Sequence, residues 1–295
     1  MAISSLRTAL FVPGNQPERI DKAFNTAADA VVIDLEDAVP AEAKSEARVL
    51  ARDKIRQYEK RMTLVRVNGL ESGCLEDDLE GVAEEALDGI ILPKAESRSH
   101  IQEINDRLTG LEEDRGLQEG SILVVPLIES ARGVESISEI VSESGGISRL
   151  YTVAFGAVDF ALDLGIELTK EGTELSYARS RLPIACRAAG IKPPLDTPFI
   201  IDINDLEAFR ADARRARQFG FQGKLCIHPK QVEPCNEIFS PTEEEIAFAK
   251  RVIRAFDDAQ EKGVGAIQVE GKMIDTPVAE RCREILKIAA SLDMV

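Results

Sequence analysis

ILVVPLIES, Ile122 to Ser130, is an almost unbroken apolar run that ends in a carboxylate, Glu129. A strand with one face in water alternates apolar and polar residues. A run without alternation suits a strand buried on both faces, as in a parallel sheet covered by helices. Upstream lie TALFVPG (Thr8 to Gly14), AVVIDLED (Ala30 to Asp37), TLVRVNG (Thr63 to Gly69) and GIILPKAE (Gly89 to Glu96). Downstream come LYTVAFGAVD (Leu150 to Asp159), PFIIDIND (Pro198 to Asp205) and GKLCIHPKQ (Gly223 to Gln231). Amphipathic stretches separate them. PERIDKAFNTAA carries Pro17 just inside its start, and DLEAFRADARRARQFG closes on Gly220. Eight apolar runs alternating with helical ones over 295 residues predict an α/β fold, the closed (β/α)8 or TIM barrel. A doubly wound open sheet is the alternative, and no GxGxxG or Walker pattern supports it.

The chain continues past what eight units need. PTEEEIAFAKRVIRAFDDAQEKG reads as a long helix that closes the barrel. An extended VGAIQVEGKMIDTP follows, then a last helix from about Val278. The expected division is a barrel domain over 1–262 and a C-terminal lid or brace over 263–295.

Within each run the apolar residues come first and the polar ones last. The second ends in Glu36 and Asp37, and the third contains Arg66. The fourth holds Lys94, the fifth Glu129, the sixth Asp159 and the eighth His228. In a barrel the C-terminal strand ends share one face, and active sites sit there. Glu129 and Asp159 are therefore expected to end neighbouring strands. Two carboxylates with no His or Cys cluster suit a hard cation that keeps waters and substrate oxygens, Mg2+ or Mn2+, better than zinc. The bland reading makes each acid a helix cap or the partner of a nearby Arg.

Arg66, inside VRVNG, needs a partner. Its planar fork suits a substrate carboxylate, or a structural ion pair with Glu36 or Asp37. Lys94 has the same two readings. Glu36 and Asp37 either hold metal-bound waters or cap the helix begun by AEAK. Arg19 and Lys22 follow the first strand and either reach phosphates or face solvent. His100 is read as a surface residue, whereas His228, before Pro229, is read as lining the mouth. No Ser/His or Cys/His pairing supports nucleophilic hydrolysis.

With 36 basic and 52 acidic residues the formal charge is −16, which disfavours nucleic acid and anionic membrane as partners. The five cysteines are scattered, with no CxxC pair, and fit a reducing, cytoplasmic setting better than a disulfide framework. No run has the length of a membrane span, and the N-terminus has no cleavable signal pattern.

LFVPGN, DLEDAVPAEAKSEAR, VRVN, LPKAE, FGAVD, GFQGKLCIHPKQ and GKMIDTP occur in that order between about Arg7 and Pro277. Together they resemble the citrate lyase β-chain-like family, which includes malyl-CoA and citramalyl-CoA lyases. The resemblance implies a TIM barrel assembled as trimers or multiples of trimers. The implied reaction is a Mg2+-dependent, reversible Claisen-type cleavage of a 3-hydroxyacyl thioester to a 2-keto acid and an acyl-CoA. It implies Glu129 and Asp159 as metal ligands and Arg66 as the cation facing substrate carboxylate and enolate. Phe11, Arg19, Lys94, His228 and Pro229 fall at its thioester-binding positions, and Asp275 at its acid/base position. The segment carrying Asp275 can close over a neighbouring subunit's mouth in such enzymes.

Related HpcH/HpaI aldolases carry Glu-His where this chain has Glu36-Asp37. Dedicated citrate lyase β-chains often have Asn in place of His228, so this chain leans towards a free acyl-CoA. Thioester hydrolysis on the same scaffold and a non-catalytic acyl-CoA-binding barrel are the other readings.

Overall fold

A computed structural model of the chain describes residues 5–142 and 149–295. The chain divides into two compact units, Leu6–Asn236 and Glu237–Val295, the second also taking Ser5.

The first unit is a closed barrel of parallel strands. They are β1 (Thr8–Pro13), β2 (Ala30–Asp34), β3 (Met62–Arg66), β4 (Gly89–Leu92), β5 (Leu123–Ile128), β6 (Ala154–Phe155), β7 (Leu195–Asp196) and β8 (Gly223–Cys226). Helices α1 (Pro17–Phe24), α2 (Lys44–Gln57), α3 (Leu75–Val82), α4 (Arg98–Arg115) and α5 (Ala131–Ile140) follow the first five strands. α6 (Ala157–Leu164) and α7 (Ser176–Ala188) follow β6, α8 (Leu206–Phe219) follows β7, and α9 (Val232–Phe239) leaves β8. The fold is the α/β barrel that the sequence predicts.

β8 returns to pair with β1, Thr8 opposite Lys224 and Leu10 opposite Cys226. Closure there needs glycine. A Cβ on Gly223 would lie 2.1 Å from the Leu6 carbonyl oxygen. Ala9, Val32, Leu64, Ile91, Val125, Leu195 and Leu225 pack in one cluster, which also takes in Leu6, Leu127 and Phe11. Their uniform burial explains the lack of alternation in the runs that supply them. The five cysteines are free thiols, as their spacing predicts.

Strand seven is not where the apolar run placed it. β7 is Leu195–Asp196, whereas Pro198–Asp205 forms the loop that leads to α8. Leu195 pairs with both Ala154 and Gly223, and the Thr197 hydroxyl accepts from the Ala157 amide. Pro198 has no N–H with which to continue the ladder. Ile200, Ile201 and Ile203 are consequently 40%, 39% and 39% exposed, an apolar rim and not a core strand.

In the second unit, α10 (Glu243–Gln260) starts with a reciprocal capping box between Thr242 and Glu245. β9 (Ile267–Val269) and β10 (Lys272–Ile274) form an antiparallel hairpin, and α11 (Thr276–Ser291) follows. Phe256, Ile274, Ala279 and Cys282 form their own apolar cluster. Among the described residues no helix is long and apolar enough to cross a membrane.

Candidate active site

Glu129 follows β5 directly and is only 4% exposed. Its Oε1 accepts the Lys94 amide at 2.8 Å. Lys94 can aim that amide because its backbone is left-handed, φ 51°. A side chain other than glycine is rare there, and the strain points to a role. Gly156 supplies the space on the other side, since a Cβ there would lie 2.7 Å from Glu129 Oε2. Burial, then Asp159 and Glu36, push the Glu129 carboxyl up to about 8 against the Lys94 amide and Arg66.

Asp159 does not end a strand. β6 stops at Phe155, and Asp159 lies in the first turn of α6. It nevertheless lines the same cavity as Glu129. That cavity, about 240 Å³, also takes in Arg66, Asp37 and Phe11, with Leu127, Val158, Pro198, Ile200, Leu225 and Ile227 as its apolar wall. Residues from β1 to β8 thus converge as the strand ends predict.

Arg66 holds a partner that neither sequence reading named. Its Nε and Nη2 donate to Asp34 Oδ1 and Oδ2, both at 2.7 Å. Asp34 is 2% exposed and also accepts the Glu36 and Ala38 amides. The bidentate fork is therefore spent on a protein carboxylate, not on substrate. Nη1 is left, 3.0 Å from Glu36 Oε2 and 3.3 Å from Asp37 Oδ2. The guanidinium carbon sits 5.3 Å from the centre of the Phe11 ring. Burial disfavours the Arg66 charge, but Asp34 and then Glu36 and Asp37 outweigh it and raise its pKa. The β2–β3 pairing sets Asp34 in register with Arg66 on the neighbouring strand.

Glu36 Oε2 is buried and, despite its closeness to Nη1, makes no hydrogen bond. Burial, then Asp37 and Asp34, raise its carboxyl to about 7 against Arg66 and Lys94. Neither Glu36 nor Asp37 caps the helix after them, because Pro40 holds the cap position and no side chain bonds there. Lys44 instead donates to the Leu35 and Glu36 carbonyls at 2.7 and 2.9 Å, fixing the loop that carries both acids.

A second cavity of about 420 Å³ is lined by Glu36, Lys94, Glu96, Asn68 and His100. His100 is therefore not a plain surface residue; its Nδ1 also accepts the Glu96 amide at 3.4 Å. His228 and Pro229 line neither of these cavities. The His228 Nδ1 accepts the Lys230 amide at 3.1 Å, capping a short 3₁₀ turn. Arg19 and Lys22 are exposed on α1. Asp275 caps α11, its Oδ1 accepting the Val278 amide at 3.2 Å.

The donor set fits a hard divalent cation. Three carboxylates, Asp37, Glu129 and Asp159, share one cavity, and Glu129 is too buried to carry its charge cheaply alone. Glu36 adds a buried oxygen that makes no hydrogen bond and stands 3.0 Å from Arg66 Nη1. Among the described residues no group of three or more His, Cys, Asp or Glu side chains is placed to enclose a metal. A cation such as Mg2+ on these carboxylates would complete its shell with water and substrate oxygens.

If the Lys94 backbone, and not its side chain, orders Glu129, Lys94→Gly should keep Mg2+ affinity within about two-fold. Lys94→Val, which resists the left-handed backbone, should weaken it by roughly ten-fold. Calorimetric titration of Mg2+ into both variants checks this.

A barrel with paired carboxylates and one pinned arginine at its C-terminal mouth is the layout of a metal-assisted lyase. The family model for HpcH/HpaI aldolase/citrate lyase matches residues 7–229, and the chain belongs to that family and is a carbon–carbon lyase. It is 36% identical to citrate lyase subunit beta of Leuconostoc mesenteroides subsp. cremoris over 98% of this chain and 95% of the relative. It is 33% identical to an L-malyl-CoA/beta-methylmalyl-CoA lyase of Cereibacter sphaeroides over 96% and 94%. Among solved structures it is similar to CitE from Mycobacterium tuberculosis in complex with magnesium, acetoacetate and coenzyme A. That match has a TM-score of 0.80 and 31% identity, covering 98% of this chain and 99% of that one.

Proposed function

We propose that this lyase uses Mg2+ to cleave, or form, a 3-hydroxyacyl thioester of the malyl-CoA, citramalyl-CoA or citryl type. The products are a 2-keto acid and an acyl thioester. One observation carries the reading: buried Glu129 and half-buried Asp159 line a cavity beside an arginine locked by Asp34. Similarity to lyases for such substrates supports it.

In the cleavage direction the hydroxyl gives up its proton and becomes the keto oxygen. The carbon–carbon bond breaks, its electron pair stays with the thioester as an enolate, and the enolate carbon then takes a proton. Bound Mg2+, held by Glu129 and Asp159, supplies Lewis-acid polarisation and a template for substrate oxygens. Glu36 and Asp37 would order waters on that ion. Arg66 offers the charge of Nη1 to the developing enolate, and Asp34 keeps that group from turning. The apolar wall excludes water from the enolate. Asp275 delivers or removes the proton at the enolate carbon, as its family position suggests. Phe11, Arg19, Lys94, His228 and Pro229 contact the thioester and its nucleotide, and the enzyme works as a homotrimer or a multiple of one.

Malyl-CoA and citramalyl-CoA assays with and without EDTA test this. Keto acid and acyl-CoA should appear, with turnover lost in EDTA and restored by Mg2+. Free CoA together with malate would instead mark a thioesterase. Asp275→Asn should lower kcat by about 100-fold or more without weakening Mg2+ binding.

A further inference from the structure

The lining of the Glu129–Asp159 cavity distinguishes between the thioesters that the proposed reaction admits. Among the described residues lining it, Arg66 is the sole cation, set against Asp37, Glu129 and Asp159. The Arg66 fork is already closed on Asp34, and Nη1 stands beside Glu36 and Asp37. Lys94, the next cation, lines the second cavity with Glu36 and Glu96. The remaining wall is hydrocarbon, with Leu127, Val158 and Leu225 among its residues.

A divalent cation would offset two of the three carboxylate charges, Arg66 being already paired with Asp34, and would take the carboxylate and keto oxygen common to every 2-keto acid. A second carboxylate on the keto acid would find no further positive charge here. It would lie against apolar side chains or face the three acids, losing its hydration without gaining a partner. A hydrogen or methyl group in that place meets the apolar wall at no such cost.

We infer that the 2-keto acid handled at this site is a monoanion with a hydrogen or small alkyl side group, and that a dianionic keto acid with a carboxymethyl group is excluded. The inference rests on the proposed lyase reading and narrows it to malyl- and citramalyl-type thioesters over citryl ones.

Binding and turnover are both measured with the whole chain in Mg2+. Calorimetry compares glyoxylate, pyruvate and oxaloacetate, and condensation with acetyl-CoA or propionyl-CoA gives kcat/KM for each. Glyoxylate or pyruvate should exceed oxaloacetate by roughly 100-fold or more in kcat/KM, with the same order in binding. Ile200 is 40% exposed on the cavity wall, so a lysine there can reach solvent. Ile200→Lys should narrow the gap at least ten-fold by raising oxaloacetate use. Oxaloacetate bound and turned over within about three-fold of pyruvate overturns the charge assignment and leaves the lyase reading intact. If no keto acid binds in Mg2+ and no condensation occurs, the lyase reading fails and this inference with it.

Discussion

Glu129→Gln should lower kcat/KM by about 1000-fold or more and remove measurable Mg2+ binding, while the barrel stays folded. The magnitude follows from the several kcal/mol that a positioned Lewis acid contributes, since roughly 4 kcal/mol is a thousand-fold in rate. The substitution is nearly isosteric. The amide oxygen still accepts from the Lys94 amide and the side chain still fills the space that Gly156 leaves. It removes only the negative charge. That charge is disfavoured by burial and has Asp159 and Glu36 nearby, so without a metal it is a burden on the folded state. In EDTA, therefore, the thermal midpoint of Glu129→Gln should equal or exceed that of the parent. Together, lost metal affinity and unimpaired stability separate a ligand from a structural carboxylate. Parent-like activity with intact Mg2+ affinity would remove Glu129 from the metal site.

The two halves of that expectation were unequally visible in the amino-acid string. Buried parallel strands write themselves as apolar runs, and their ends mark the mouth, so Glu129, Arg66 and Lys94 could be placed by position alone. Asp159 reached the right cavity by the wrong route, because Gly156 turns the chain from β6 into α6 before the carboxylate. Strand seven failed for a related reason. IIDI has the composition of a strand, but Pro198 ends the ladder, so those isoleucines stay part-exposed in the loop, where Ile200 lines the cavity.

Asp34 was overlooked because the second run was read as ending in Glu36 and Asp37, with Asp34 inside it. Only the β2–β3 register shows that it faces Arg66 and fixes its fork. The backbone strain at Lys94 had no signal in composition or spacing. What a sequence pattern places well is a residue's height along the barrel; which partner it takes across strands depends on register.

The largest stability effect should come from a residue with no contact to the proposed chemistry. Lys224→Met is expected to cost about 3–5 kcal/mol, seen as a thermal midpoint lower by roughly 10 °C. Lys224 on β8 is opposite Asp196 on β7 in register, and both side chains are fully buried. Its ammonium donates to Asp196 and lies 2.6 Å from Asp212 Oδ2 on α8. Arg179 on α7 completes the set, its Nε and Nη2 bonding Asp196 at 3.0 and 2.9 Å and Nη2 reaching Asp212 at 2.8 Å. Two cations and two anions thus alternate and tie the short β7 to the two helices that flank it. Burial alone would drive Lys224 down, but Asp196 and Asp212 outweigh it and raise its pKa above the usual 10.5. Asp212, pushed up by burial and more strongly down by Lys224 and Arg179, ends below the usual 3.8. A raised lysine stabilises the fold below its unfolded value and is lost as pH climbs through its folded one. A lowered aspartate stabilises above its unfolded value and is lost as pH falls through its folded one. The network therefore holds across the neutral range and fails at both extremes. Methionine replaces the stem volume but leaves Asp196 with Arg179 alone and Asp212 with Arg179 and the more distant Arg215, at 3.4 Å, and the lost compensation inside the barrel is the source of the cost. A double-mutant cycle with Asp212→Asn in urea isolates the pair: a coupling energy above about 1 kcal/mol is expected, and additive effects would mean that the two side chains act independently.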